Sequence, residues 1–157
     1  MFEFHIGFIM LCDDFTEGDC LNRNLFGDSV KRLKELDEIK VGDTGLLLNI
    51  NKDELIGIFR ACSKAQLNIA PDAWKGKCAV QVRVELIGEL QRVKNAEYIL
   101  KEAGFRMRQA SPGALVPQFP VYGQNAIEKI LAFFTDSDNK MLTASGLVKD
   151  EMTQKGI

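Results

Sequence analysis

The feature that most constrains this chain is the stretch from Cys78 to Leu86, where Val80, Val82, Val84 and Leu86 alternate with Gln81, Arg83 and Glu85. A period of two puts successive side chains on opposite faces of an extended backbone, so the stretch reads as a half-buried strand and demands a sheet with an apolar side to cover. Thr44 to Ile50 and Glu54 to Cys62 read as two more strands, joined into a hairpin by the polar turn Asn51-Lys52-Asp53. Residues 5 to 12, His-Ile-Gly-Phe-Ile-Met-Leu-Cys, form an apolar run of strand length that Asp13-Asp14 halts.

Helical spacing fills the gaps. Asp13 or Asp14 caps a short helix through about Leu21, because a carboxylate satisfies free N–H groups at the positive end of the helix dipole. Leu21, Leu25 and Phe26 continue at near-helical spacing; Gly27 interrupts, and Asp28 or Ser29 starts a second helix with Val30, Leu33 and Leu36 inward. A third helix begins at Asn95, with Ala96, Ile99, Leu100 and Ala103 inward and Gly104 as its stop. Ile127, Ile130, Leu131 and Phe134 mark a last one from Gln124. Between them, Pro112, Gly113, Pro117 and Pro120 predict a loop with little regular structure over residues 105 to 122. The outline is one α+β domain over residues 1–134, followed by a polar tail over 135–157 that reads as frayed or disordered.

With 157 residues, 46% of them hydrophobic, the chain can build a core without metal or disulfide staples. A net charge of −2 supplies no global positive field, so contact with nucleic acid has to be local. No apolar run reaches the ~18 residues of a membrane helix. The N-terminal segment has no basic leader, and the expectation is a cytoplasmic protein with no membrane partner. The four cysteines form no C-x-x-C pair and His5 is the single histidine, so neither a metal site nor a cofactor is expected. Cys12, Cys62 and Cys78 fall in apolar or alternating segments and read as inert buried thiols.

Catalytic chemistry finds little to stand on. His5 precedes an apolar strand and reads as structural, Asp13 and Asp14 as caps, and no G-x-x-x-x-G-K-[ST] or G-x-G-x-x-G loop is present. The chain is therefore read as a non-enzyme. Arg92, Lys94, Lys101, Arg106 and Arg108 gather where Glu97 and Glu102 are the only acids, and Lys101, Arg106 and Arg108 are candidate nucleic-acid contacts; the plainer reading is a solvated surface. Single strands are gripped by positive charge together with rings on which bases stack. Phe105, Phe119, Tyr122 and Trp74 are the candidate rings, and Trp74, in a polar loop between strands, reads either as a packing anchor or as a stacking platform.

Several phrases fit one pattern. Gly7-Phe8-Ile9-Met10-Leu11-Cys12, Leu25-Phe26-Gly27, Ile39-Lys40-Val41-Gly42, Leu46-Leu47-Leu48-Asn49, Gly57-Ile58-Phe59, Leu67-Asn68-Ile69-Ala70-Pro71-Asp72-Ala73-Trp74 and Ala79-Val80-Gln81-Val82-Arg83-Val84 stand in the order and spacing of the DCD (development and cell death) domain. Over about residues 5 to 134 the chain resembles that family. Two positions depart from it: Asp28-Ser29 stands where the family continues with Leu-Pro, and Arg60 where it has Glu.

The resemblance implies a small bent PUA-like β-barrel flanked by short helices, similar to EVE and YTH domains, many of which bind RNA or modified bases. It implies a noncatalytic module for RNA or a modified nucleotide, with Trp74, Asn68, Asn49 and Arg83 meeting at one barrel mouth: a ring to stack, amides to read base edges, a guanidinium for phosphate or purine. The alternative is a protein-interaction module in stress signalling, or a homodimer, anchored by apolar residues of the Pro112 to Tyr122 segment.

Overall fold

The computed structural model describes residues 6–111 and 113–134. His5, Pro112 and residues 135–157 lie outside the described residues, so the expectations for them are carried no further. The strands are β1 (Ile6–Cys12), β2 (Leu25–Asp28), β3 (Thr44–Asn49), β4 (Glu54–Ala61), β5 (Gln66–Leu67), β6 (Val80–Leu86), β7 (Arg92–Lys94), β8 (Met107–Ser111), β9 (Ala114–Pro117) and β10 (Val121–Gly123). The helices are α1 (Glu17–Arg23), α2 (Leu33–Leu36), α3 (Ala96–Glu102) and α4 (Gln124–Leu131), with single 3-10 turns at Val30–Arg32 and Ala73–Gly76.

The main sheet runs β10-β1-β3-β4-β6-β2, with β5 added to β6 and β7 to β4; β8 and β9 form a separate hairpin. β1 and β3 pair in parallel and the other pairs are antiparallel. What bends the sheet is Gly57. The β3–β4 register slips between Leu46 and Leu47, leaving Gly57 as the extra residue at a φ of +70°, a left-handed conformation that favours glycine. On one side of this bulge β4 pairs with β7 through Glu54 to Ile56; on the other it pairs with β6 through Phe59 to Ala61. The strand thus changes partners at its kink and the sheet curls into a half-barrel, the α+β, PUA-like architecture expected.

Both faces of the central strands are covered. Ile9, Leu46, Leu48, Leu55 and Ile58 pack under α3 and α4 with Ile99, Leu100, Ile127, Ile130 and Leu131. Phe8, Met10, Leu47, Ile56 and Phe59 fill the inside of the curl with Phe26, Val80, Val82 and Val84. The rings of Phe26 and Phe59 meet edge to face at 4.9 Å. A strand buried on both faces carries a continuous apolar run rather than an alternation, which is the pattern of β1 and of Leu46-Leu47-Leu48.

Several expectations are corrected. Leu25 and Phe26 belong to β2 rather than to a helix, because pairing with Arg83 and Val82 of β6 outweighs a few residues of helical spacing. Val30 is 56% exposed: the segment after Ser29 is a 3-10 turn, whose tighter winding moves Val30 off the inner face. Ser29 does cap it, accepting from the Lys31 N–H at 3.2 Å. Residues 105–122, expected as loop, hold β8, β9 and β10, with Pro117 at the end of its strand where a missing donor costs little. Gln81, expected outward, is buried; its amide accepts from Ala70 N–H and donates to the carbonyls of Ala70 and Cys78. Cys12 and Cys20 are buried thiols, the latter pushed up to about 12 by burial, whereas Cys62 is exposed at the end of β4. Among the described residues no helix is long and apolar enough to cross a membrane, and none of the His, Cys, Asp and Glu clusters would hold a metal ion.

Candidate functional site

The expected mouth residues do not meet at one opening. Trp74 is 5% exposed, its ring against Gly27 and its indole N–H donating to the carbonyl of Thr16 at 3.2 Å. Its backbone, at a φ of +49°, donates to the Asp19 carboxylate at 2.7 Å. An indole with its one donor engaged and its faces packed is an anchor of the core, so the packing reading of Trp74 holds and the stacking reading falls.

Asn49 is fully buried at the end of β3. Its Oδ1 accepts from the N–H groups of Asn51 and Lys52 at 2.9 and 3.0 Å, which closes the β3–β4 turn, and its Nδ2 donates to Glu17 at 2.8 Å and Asp14 at 3.2 Å. No hydrogen-bonding capacity is left for a base edge. Glu17 in turn takes Arg92 of β7 at 2.7 and 3.3 Å, and Arg92 reaches Glu54 at 3.1 Å. The Arg92 hydrogen bonds hold the Glu17 carboxyl down near 2. This charged clamp ties α1 to β4 and β7. Asn68 and Arg83 are exposed on the β5–β6 side of the sheet, Asn68 at a φ of +54° with its N–H on the carbonyl of Ala79, and Arg83 with its N–H on Ser63 Oγ.

Concavity lies elsewhere. A shallow hollow of about 10 Å³ is lined by Ile9 and Leu11 of β1, Asp28 at the end of β2, Arg32, Arg108 of β8, and Pro117, Phe119 and Pro120 from β9 and the turn after it. That volume is about what one water molecule fills, so the hollow is a notch in an otherwise open surface and not an enclosed ligand cavity. Arg108, one of the three basic candidates, therefore reaches the site. Arg106 sits two residues earlier on the same extended segment and is exposed, whereas Lys101 is on α3 and paired with Glu97 at 2.9 Å.

Three features give the hollow its chemistry. The Nε of Arg108 is buried without a hydrogen-bond partner among the described residues, a donor that ordinarily finds an acceptor. Asp28 accepts from the Ser29 N–H at 2.6 Å, and burial, opposed by that bond and by Arg32 and Arg108, raises its carboxyl above the usual range. Arg32 is steadied by Glu35 at 3.1 Å. At the rim, Phe119 is 47% exposed and held by its neighbours: its N–H donates to the Tyr122 hydroxyl at 3.0 Å, and the Tyr122 ring lies 4.5 Å from that of Phe105. The backbone carbonyl of Pro120 accepts from Ile9 N–H at 2.8 Å and pins the turn to β1.

Sequence reasoning reached Arg108 and Phe119 but missed Asp28 and Arg32. Helical spacing makes Asp28 or Ser29 a helix start, and nothing in it singles out Arg32 as a lining residue.

Comparison with known proteins bears on fold and family. The model of the Development and cell death domain matches residues 6–103. A curated relative, the DCD domain-containing protein NRP-B of Glycine max, is 35% identical over 71 residues, which is 45% of this chain and 22% of the relative. The chain thus spans about a fifth of that relative's length. Among solved structures, the complex of the YTH domain-containing protein mmi1 with RNA is similar at a TM-score of 0.58 and 12% identity, covering 80% of this chain and 78% of that one. The Pho92 YTH domain in complex with m6A is similar at 0.55 and 11%, covering 84% and 85%. At these identities the likeness is one of fold.

Proposed function

The chain belongs to the development and cell death domain family, and from that premise we propose that it is a noncatalytic RNA-binding module that grips RNA across the surface between β2 and the β8–β9 hairpin. The observation that carries the reading is the exposed Phe119 ring on a surface it shares with Arg32, Arg108 and Asp28. Phe119 offers a face on which a base stacks, worth ~1–3 kcal/mol. Arg32 and Arg106 supply local positive charge for phosphates on a chain whose net charge is −2. Two YTH domains of like fold, solved with RNA and with m6A, support the class of ligand. Residence in the cytoplasm is part of the same proposal, checked by cell fractionation.

The test is fluorescence anisotropy of a labelled single-stranded RNA titrated with the protein at two salt concentrations. Binding that weakens with salt and is lost in Arg108→Ala supports the reading; no binding to any single strand at low salt overturns it.

A second reading, a protein-interaction surface or homodimer anchored by residues 113–122, is favoured by the exposure of Phe119 in that segment. Sedimentation equilibrium separates the two, because a dimer lost in Phe119→Ala without change in RNA affinity assigns the ring to protein contact.

A further inference from the structure

We propose, on the footing of the RNA-binding reading, that Tyr122 is a positioning residue: its hydroxyl holds the Phe119 turn so that the exposed ring is a fixed platform for one unpaired base, with little regard to which base it is. Phe119 is the exposed member of a segment that is tied down on both sides. Gln118 N–H donates to the carbonyl of Arg106 at 2.8 Å, Phe119 N–H to the Tyr122 hydroxyl at 3.0 Å, and Ile9 N–H to the carbonyl of Pro120 at 2.8 Å. Pro117 and Pro120, both buried, fix φ on either side of Gln118-Phe119.

Tyr122 is anchored independently of this turn. Its backbone pairs with Gly7 of β1, and its ring lies 4.5 Å from that of Phe105, against the part of the core under α3 and α4. The hydroxyl thus links that core to the rim where Phe119 stands. Burial raises the phenol above its ordinary value, opposed by the Phe119 N–H and by Arg108 and Arg32, so the hydroxyl stays protonated at neutral pH. The same two arginines line the surface beside the ring.

A ring fixed by folding has less freedom to lose when a base settles on it. Every base offers a π-face, so stacking alone tolerates sequence. Reading a base by its edges would need polar groups around an enclosed pocket, and the water-sized notch beside Phe119 admits no base. Selection therefore falls on bases that are unpaired and free to leave their neighbours, as in single strands and loops.

The experiment is anisotropy with labelled five-nucleotide strands of uridine, adenosine or cytidine and with a strand of five abasic ribose phosphates, which keeps the charge and lacks the rings. Each is titrated with the wild-type protein and with Tyr122→Phe, which keeps the ring against Phe105 and removes the hydroxyl alone. Wild type should bind the three base-bearing strands within about fivefold of one another and the abasic strand about tenfold more weakly. Tyr122→Phe should lose about three- to fivefold on the base-bearing strands and less than about 1.5-fold on the abasic one. Equal loss on the abasic strand would show the hydroxyl touching the RNA backbone, and no loss on any strand would show the ring positioned without it. Either result, or a preference above about tenfold for one base, overturns the proposal and leaves the RNA-binding reading standing. No binding of wild type to any strand overturns both. A further measurement needs no variant: the ¹⁵N heteronuclear NOE of the Phe119 amide should match those of β1, and a value typical of a mobile loop overturns the fixed platform.

Discussion

Gly27 and Trp74 share one position in the barrel: a methyl group built on Gly27 would come within 2.6 Å of Cζ3 and 2.7 Å of Cη2 of the indole. The indole fills the space that the glycine leaves on β2, and the Thr16 carbonyl holds the ring there through its N–H. A segment with two residues at left-handed φ, Trp74 at +49° and Lys75 at +55°, is strained on its own and persists because this packing holds it.

Gly27→Ala should therefore cost about 1–3 kcal/mol of unfolding free energy through overpacking, read as a lowered denaturation midpoint at constant m-value. Trp74→Ala should cost about 3–5 kcal/mol, the usual range for emptying a buried aromatic site.

Trp74 is the single tryptophan, so its fluorescence reports on one place. Emission should be blue-shifted and shielded from acrylamide in the folded protein, and saturating RNA should leave it unchanged. Quenching by RNA would show a base on the indole and return Trp74 to the binding site.

The clamp on Glu17 predicts the acid limb of stability. Its folded carboxyl titrates near 2 against an ordinary value of 4.5. A depressed carboxylate contributes stability that is complete above the unfolded value and is lost as pH falls from about 4.5 toward 2. The contribution is on the order of 2–3 kcal/mol, discounted because Arg92 is partly exposed. Glu17→Gln should lower stability at pH 7 by that order and flatten the profile between pH 5 and 2, followed by urea denaturation across this window.

Asn49→Ala should destabilise by roughly 2–3 kcal/mol, because the Asn51 and Lys52 N–H groups and the Glu17 carboxylate all lose a partner. RNA affinity measured on the folded fraction should not move. A loss of affinity with stability intact would place the amide in recognition.

The basic residues should divide by position. Arg108→Ala should lower RNA affinity at least tenfold. Arg106→Ala should weaken binding several-fold with little dependence on the base and reduce the salt slope by about 1. Lys101→Ala should change it less than about twofold, since that side chain is on α3 and paired with Glu97. Anisotropy at three salt concentrations gives both affinity and slope.

The fold was legible where burial is one-sided or complete. Val80, Val82 and Val84 marked β6 by alternation, and the Leu46-Leu47-Leu48 run marked a central strand. β2 was not legible, because its four residues have no period of their own and owe their conformation to β6. The hairpin of β8 and β9 was hidden by Pro117, which sits at the end of β9 where the ladder does not need its N–H. The site divided in the same way. Arg108 and Phe119 stood out by residue type, but Asp28 enters the hollow through a strand pairing that no local pattern announces, and the burial of Trp74 and Asn49 depends on α1 crossing the chain more than 30 residues away.

The most direct measurement is a titration of the ¹⁵N-labelled protein with single-stranded RNA followed by amide and side-chain N–H resonances. Shifts should cluster at Asp28 to Arg32, at Arg106 and Arg108, and around Phe119 to Tyr122, while the indole N–H of Trp74 and the side-chain amide of Asn49 stay in place. Shifts centred on that indole with the β8–β9 hairpin unmoved would contradict the account.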